Sequence, residues 1–346
     1  MNTNLTFFTT LTNIEDNAMT QLRELENEGN VEKACVFPDI HYCSEKGIPV
    51  GLAFATREVI FPLITGKDMG CGVAYMKIPK ADVIQAFDKE KHYNAFLREH
   101  LKMTDEGLGG GNHFLSLEED DKDLYIIVHT GTRNRGIYMY QKNLALLREA
   151  GSETYFTVDF LRKNYPQWFD EYTDVIRYGV KRRNDFLLGT LAFLERNGYV
   201  RNSGNYTCGD SVHNHIKQEG EYWIHRKGAT ELNGDTVVIP LSMTRGSLLV
   251  KKLHEGENLN SCSHGAGRRL SRTDTLKFWH SLRKKERKEY EAQFSELLER
   301  NGKFSQGYIQ EFDFGYKDSA NLLKEQPFLQ KVTETRPICT IKFSEI

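Results

Sequence analysis

An α+β fold is predicted for this chain, with central β-sheets and helices around them. Short apolar runs at 34–37, 124–128, 236–239 and 338–341 are bounded by turn or polar residues and read as buried strands. Two much longer helical patterns, 170–197 and 273–300, stand apart from them and are each followed by a glycine stop, Gly198 and Gly302. Strands and helices do not alternate regularly, which argues against a doubly wound parallel sheet. A helix over 13–28 is predicted from a capping-box pattern at Thr12 and Glu15, with Ile14, Ala18, Leu22 and Leu25 on one face. Within the last long pattern, LRKKERKEYEAQF (282–294) carries mixed charge at i,i+4 spacing and reads as a solvated helix face. The chain has no internal repeat or low-complexity tract, and its 8 prolines are scattered, so residues 1–346 are expected to form one large domain.

With 346 residues the chain is long enough to bury a substantial core. Hydrophobic residues make up 39%, and no run approaches the ~20 apolar residues of a membrane-spanning helix. The start MNTNLTFFTTLTNIEDNAM lacks the pattern of a secretory signal, and a soluble cytoplasmic protein with no membrane partner is expected. The 6 cysteines are spread along the chain with no CxxC pair, so neither a zinc ribbon nor a disulfide framework is indicated. A net charge of −2 excludes a basic wrapper that grips nucleic acid by bulk electrostatics. Any nucleic acid would be held in a local basic cleft.

Chemistry is concentrated in histidines and acids set among glycines near strand ends: PDIHYCSEKGIPVG (38–51), KDMGCGV (67–73), GLGGGNHF (107–114), VHTGTRNRG (128–136), DSVHNH (210–215), IHRKGAT (224–230), PLSMTRGS (240–247) and SCSHGAGRR (261–269). In DMGCG, glycines flank Cys71 and let the backbone turn so that Asp68 and Cys71 aim at one point. Taken singly, Cys71 reads as a small buried residue, and His113, His129 and His213 as hydrogen-bonded structural histidines. Together the five form a mixed hard and soft ligand set for two divalent ions. Imidazole plus carboxylate suits manganese or zinc about equally, so these residues alone leave the metal open. His264 lies among small residues with Arg268 four positions on; the loop has room for a bulky partner, the arginine can neutralise phosphate bidentately, and such a histidine can form a phosphoramidate. Lys227, Arg226 and Arg133 add positive groups near glycines. GLGGG is neither a P-loop nor a dinucleotide fingerprint, since no Gly-Lys-Ser/Thr follows.

The ordered motifs DMGCG, GGGNHF, HTGTR, HRKGA and SHGAGR resemble those of the RtcB family of RNA-splicing ligases, over about 35–342. That resemblance implies an α+β domain whose sheets line a metal-containing cleft. It implies that Asp68, Cys71, His113, His129 and His213 hold two Mn²⁺ ions, with Cys71 bridging, and that His264 attacks GTP. Asn112 and Arg268 would hold the guanylate phosphate; Lys227 and Asp39 match polar positions needed for activity. Arg133 and Asn214 would lie on the path of the substrate phosphate, where Arg226 is also placed. Ser242 and Ser247 correspond to serines that contact nucleotide, Tyr316 to the aromatic that stacks on guanine, and Lys342 to a lysine near the base. The implied reaction joins an RNA 3′-phosphate or 2′,3′-cyclic phosphate end to a 5′-hydroxyl, with a monomer as the expected state. Three departures stand out. Ser116 replaces the glutamate expected to read guanine, with Glu118 or Glu119 as substitutes; PLSMT puts Leu241 and Thr244 in place of glycines, which is expected to crowd the nucleotide loop; and 38–51 is poorer in glycine. These motivate an alternative, a dinuclear-metal RNA-end phosphodiesterase that has lost nucleotide transfer, and a third reading, a non-catalytic RNA-binding relative.

Overall fold

Strand pairing, almost all of it antiparallel, organises the chain in a computed structural model that describes residues 4–43, 48–100, 102–234, 236–298 and 306–342. Among these residues two five-stranded sheets dominate. The first runs edge to edge through Asn4–Phe7, Lys33–His41, Val50–Thr56, Tyr222–Lys227 and Asn214–Glu219, and its pair Asn4–Phe7 with Lys33–His41 is parallel. The second runs through Arg336–Ile341, Phe114–Glu119, Asp123–Thr130, Gly72–Pro79 and Thr207–Val212. A three-stranded sheet, Val237–Ser242, Gly246–Lys252 and Leu329–Glu334, and a short pair, Ala229–Glu231 with Ser261–Ser263, complete the strands that carry the motifs. The four apolar runs fall in Lys33–His41, Asp123–Thr130, Val237–Ser242 and Arg336–Ile341. The fold is therefore mixed α+β.

The helix Trp168–Arg196 covers the second sheet, where Phe186, Leu187, Leu191 and Leu194 pack with Met76, Ile126 and Val128 in one buried cluster. It ends as its glycine stop requires, with the amides of Gly198 and Tyr199 donating to the carbonyls of Glu195 and Leu194. The helix Asp16–Asn27 buries Ala18, Leu22 and Leu25 in the core under the first sheet.

Two helix boundaries differ from expectation. The capping box at Thr12 and Glu15 does not form: Leu11–Asn13 is a tight 3-10 turn, Thr12 bonds to Thr10, and the Glu15 carboxylate accepts from the Tyr42 amide at 3.3 Å. Long-range pairing with Tyr42 thus outcompetes the local cap, and the helix starts at Asp16. The pattern 273–300 is two helices, Arg272–Ser281 and Lys284–Leu298. Leu282 is extended between them, and the Glu286 carboxylate accepts from the Arg283 amide at 2.7 Å, a fresh helix start that periodicity cannot reveal. Gly302 lies outside the described residues. No described helix is long and apolar enough to cross a membrane.

Candidate active site

Register in the second sheet gathers the histidines and the thiol. Gly72 pairs with both Thr130 and Val212, and Phe114 pairs with His129, so Cys71, His113, His129 and His213 all arrive at one end of adjacent strands. His213 sits at the corner where the strand Thr207–Val212 leaves the second sheet and Asn214–Glu219 enters the first, and its amide donates to the Cys71 carbonyl at 2.9 Å. Gly70, with φ 69°, makes the tight turn before Cys71. The buried Cys71 Sγ lies 3.3 Å from His113 Nε2 and 3.2 Å from His129 Nε2. His129 Nε2 is 3.3 Å from His213 Nε2, and Asp68 Oδ1 is 3.3 Å from His113 Nε2. Cys71, His113 and His129 thus converge within 4.8 Å of one another, with Asp68 adjoining His113 and His213 adjoining His129.

The donor chemistry of this cluster fits divalent metal. His129 Nδ1 faces the Asn112 carbonyl at 3.2 Å and donates its proton there, which leaves the Nε2 lone pair aimed at Cys71 and His213. Burial holds His129 and His213 well below the usual histidine range, helped by neighbouring imidazoles, so both rings are neutral. Burial also pushes the Cys71 thiol well up, with the charge of Asp68 adding to it. At Asp68 burial again opposes the charged form, but the charge and hydrogen bond of His113 overcome it and hold the carboxyl below its ordinary value. Two neutral imidazoles, a sulfur and a carboxylate facing one another offer a donor set that suits a divalent cation, and a cation there would also ionise the thiol.

Beside the cluster stands His264, its ring centroid 4.9 Å from that of His213. Asp39, fully buried, directs one carboxylate oxygen at it: Oδ2 accepts from His264 Nδ1 at 2.6 Å, from the His264 amide at 2.9 Å and from the Gly265 amide at 3.2 Å. Burial alone would lower the His264 pKa, but Asp39 outweighs it and raises the value. The Nδ1 proton is thereby committed to Asp39, and Nε2 is the nitrogen available for chemistry.

One cavity of about 490 Å³, in the range of small-molecule sites, is lined by Asp68, His129, His213 and His264 and, further along, by Asn112, Lys227, Ser242, Ser247, Arg268, Tyr316 and Lys342. Lys227 is buried against it. The Tyr316 hydroxyl donates to Glu311, whose carboxylate also holds Lys342 at 3.2 Å and Arg272 at 3.2 Å.

Some expectations change with the structure. Arg226 does not reach the cavity: it is fully buried, with Nε on Ser261 Oγ at 2.8 Å and Nη2 on Glu219 at 2.7 Å and on the Leu259 carbonyl at 3.0 Å. Strand alternation explains this, since Arg226 and Lys227 are neighbours in Tyr222–Lys227 and point to opposite faces. Asn214 lines the cavity, but its amide braces two loops, donating to the Asp68 carbonyl and accepting from the Gly228 amide. Arg268 spends Nε on the Leu270 carbonyl, Nη2 on Thr275 and the Gln310 carbonyl, and Nη1 on Glu311 at 3.5 Å, so a two-pronged phosphate contact is not open to it as it stands. The 240–244 loop needs no glycine, because neither Leu241 nor Thr244 has positive φ; Leu241 packs into the core and also forms part of the cavity lining. Arg133 lies outside the cavity lining, beside His113.

Sequence reasoning leaves Glu118 and Glu119 as alternatives and misses Arg183 and Lys317. Ser116 and Glu118 share one face of the strand Phe114–Glu119, and Glu118 lines the cavity, accepting from Ser116 Oγ at 2.7 Å, Ser247 Oγ at 3.2 Å and Thr335 Oγ1 at 2.5 Å. Glu119 points away to Arg336 and Lys80. The period of two along a strand was the signal that separates these two acids. Arg183, on the long helix, donates to the carbonyls of Gly70 and Thr130 and pairs with Asp210, clamping the floor of the cluster. Lys317 is a second clamp. The ladder between Lys33–His41 and Val50–Thr56 shifts register between Val36 and His41, and the Lys317 ammonium takes the carbonyls of Pro38 at 3.0 Å and Ile40 at 2.8 Å on either side of Asp39. Its own amide donates to Gly267 in the His264 loop at 2.9 Å. Nothing in the sequence marks Arg183, whereas Lys317 adjoins the singled-out Tyr316.

The fold and site define an α+β protein with a buried thiol–imidazole centre opening onto a nucleotide-sized cavity. A family model described as tRNA-splicing ligase RtcB matches residues 85–343, and the chain belongs to that family. Asp39, Asp68 and Cys71 precede the matched residues, and the tertiary structure brings them to the later motifs. Among similar proteins, an Escherichia coli RNA-splicing ligase RtcB2 is 28% identical over 300 residues, covering 75% of this chain and 75% of the relative. RNA-splicing ligase RtcB of Escherichia coli K12 is 24% identical over 313 residues, 70% of this chain and 76% of that protein. A Pyrobaculum aerophilum tRNA-splicing ligase RtcB is 24% identical over 301 residues, 68% of this chain and 59% of that protein.

Proposed function

We propose that this protein is an RNA ligase that uses Mn²⁺ and GTP to join an RNA 3′-phosphate or 2′,3′-cyclic phosphate end to a 5′-hydroxyl, through a guanylylated His264. The observation that carries the reading is the pair Asp39–His264, held at 2.6 Å, with His264 lining the same cavity as Asp68, His129 and His213. Asp68, Cys71, His113, His129 and His213 would hold the metal. Divalent ions there would supply positive charge against the charge that accumulates at phosphorus.

The residues of the chain account for the remaining chemistry. With its Nδ1 proton held by Asp39, His264 presents Nε2, once that nitrogen has given up its proton, to the α-phosphorus of GTP; the N–P bond forms as the bond to pyrophosphate breaks. Lys227, buried against the cavity, offsets the phosphate charge. A 2′,3′-cyclic phosphate end is first opened by water to the 3′-phosphate and 2′-hydroxyl; the guanylyl group then passes to the RNA 3′-phosphate, freeing His264, and the 5′-hydroxyl oxygen, losing its proton, displaces GMP as the new phosphodiester forms. Tyr316 offers a ring for the base and Lys342 a charge near it. Glu118 takes the place of the missing glutamate: a carboxylate two residues along the same strand face reaches the same cavity. That placement supports the ligase reading over a hydrolase without nucleotide transfer.

The test is incubation with Mn²⁺ and α-labelled GTP or ATP. Label from GTP should become protein-bound in the wild type and not in a His264→Ala variant; equal labelling of that variant refutes the reading.

A further inference from the structure

Among the described residues, Arg133 beside the metal cluster and Arg135 two positions on have no acidic partner. Arg133 opens the helix Asn134–Glu149 with φ 53° and ψ −127°, a backbone conformation that only glycine adopts freely. A Cβ placed on Gly109 would lie 2.5 Å from His113 Nδ1 and 2.7 Å from Arg133 Nη1, so this guanidinium and a candidate ligand imidazole flank the same glycine. Two residues on, the exposed Arg135 guanidinium lies 3.8 Å from the centroid of the Tyr178 ring, on the long helix. Among the described residues neither arginine meets a carboxylate, and Arg133 Nε is buried without an acceptor. Their neighbours differ: Arg182 is paired with Glu106 at 2.9 Å and Arg177 with Asp174 at 3.2 Å. None of Arg133, Arg135 and Tyr178 lines the nucleotide cavity.

We infer that Arg135, stacked on Tyr178, continues from Arg133 a phosphate-binding surface along which the RNA strand approaches the metal cluster, apart from the nucleotide cavity. A guanidinium is weakly hydrated, and stacking on an aromatic face holds it in place before the phosphate arrives. With no carboxylate beside them, Arg133 and Arg135 keep their charge for phosphate oxygens, whereas Arg177 and Arg182 each face a carboxylate. The inference rests on RNA being the substrate and not on the identity of the nucleotide.

The experiment measures binding of a labelled single-stranded RNA oligonucleotide with a 3′-phosphate as a function of salt. An Arg135→Ala variant should bind roughly tenfold more weakly at low salt, with its log–log salt slope shallower by about 0.7 for the lost phosphate contact. Tyr178→Leu should weaken binding in the same direction, and Tyr178→Phe, which keeps the ring, should restore it. Arg177→Ala is the control and should change neither quantity. Unchanged affinity and slope in Arg135→Ala, with wild-type thermal stability, overturn the inference, as does an equal loss in Arg177→Ala. Wild-type protein that takes no label from GTP but shows the Arg135 effect would sink the GTP mechanism and leave this surface standing.

Discussion

Replacing Asp39 by asparagine isolates the charge of the Asp39–His264 pair from its geometry. The carboxylate oxygen Oδ2 accepts from His264 Nδ1, from the His264 amide and from the Gly265 amide. An asparagine can keep its carbonyl oxygen in that place, because turning the NH₂ group inward would set donor against donor. What it loses is the negative charge, and its NH₂ takes the position of Oδ1, which is buried without a partner. Hydrogen bonds to charged groups contribute about 1.5–3 kcal/mol and neutral ones about 0.5–1.5, so the change weakens the hold on His264 by about 1–2 kcal/mol. If that loss appears in the transition state, guanylylation slows by roughly 5- to 30-fold. Asp39→Ala removes the acceptor for all three donors at once, and a loss on the order of 10²–10⁴ is expected, since each buried unsatisfied group costs about 1–3 kcal/mol. The assay is single-turnover transfer of label from α-labelled GTP to protein, with metal content measured on the same samples. If D39N labels at the wild-type rate, Asp39 does not prepare His264 and the reasoning fails.

Cys71→Ala should lower divalent metal retained through purification, read by elemental analysis, because the sulfur is the atom close to both His113 and His129; unchanged content would place the metal elsewhere. Lys317→Met should slow label uptake and lower stability by about 2 kcal/mol, since it frees the carbonyls flanking Asp39; a loss of stability with an unaltered labelling rate would make Lys317 a purely structural strut. Glu118→Gln should narrow the preference for GTP over ATP in the labelling assay, and an unaltered preference would remove Glu118 from base reading. The buried His225, stacked on Phe54 and accepting from the Phe61 amide through Nε2, has its pKa pushed down by burial to about 3. Its unfolded value is about 6.5, so as pH falls between these limits the unfolded chain takes up a proton that the folded protein refuses. Stability is lost over that window, by up to about 5 kcal/mol. In chemical denaturation from pH 7 to pH 4, the gap between wild type and a non-titrating His225→Asn variant should shrink; a constant gap would contradict the assignment.

Strand cores were legible because they are continuous apolar runs, and the long helix Trp168–Arg196 because its periodicity and glycine stop are local signals. The break at Leu282 and the missing cap at Thr12 were not, since each depends on a carboxylate choosing between local and distant amides. Within the site, His264, Cys71 and the three clustered histidines were conspicuous by residue type and glycine context. Arg226 was misplaced because a basic residue beside glycine looks the same in sequence whether it faces solvent, a cavity or a buried carboxylate.

By itself, then, the amino-acid sequence determined which chemical groups are present and that short glycine-bounded segments carry them, because residue type and turn propensity are local properties. Only the tertiary structure decided which of those groups meet. Register in the second sheet sets Cys71 against His113 and His129, the corner between sheets adds His213, and a ladder shift bridged by Lys317 turns Asp39 toward His264. Convergence of this kind depends on pairing between residues far apart in the chain, and it follows from burying both sheets at once rather than from the preferences of any single segment.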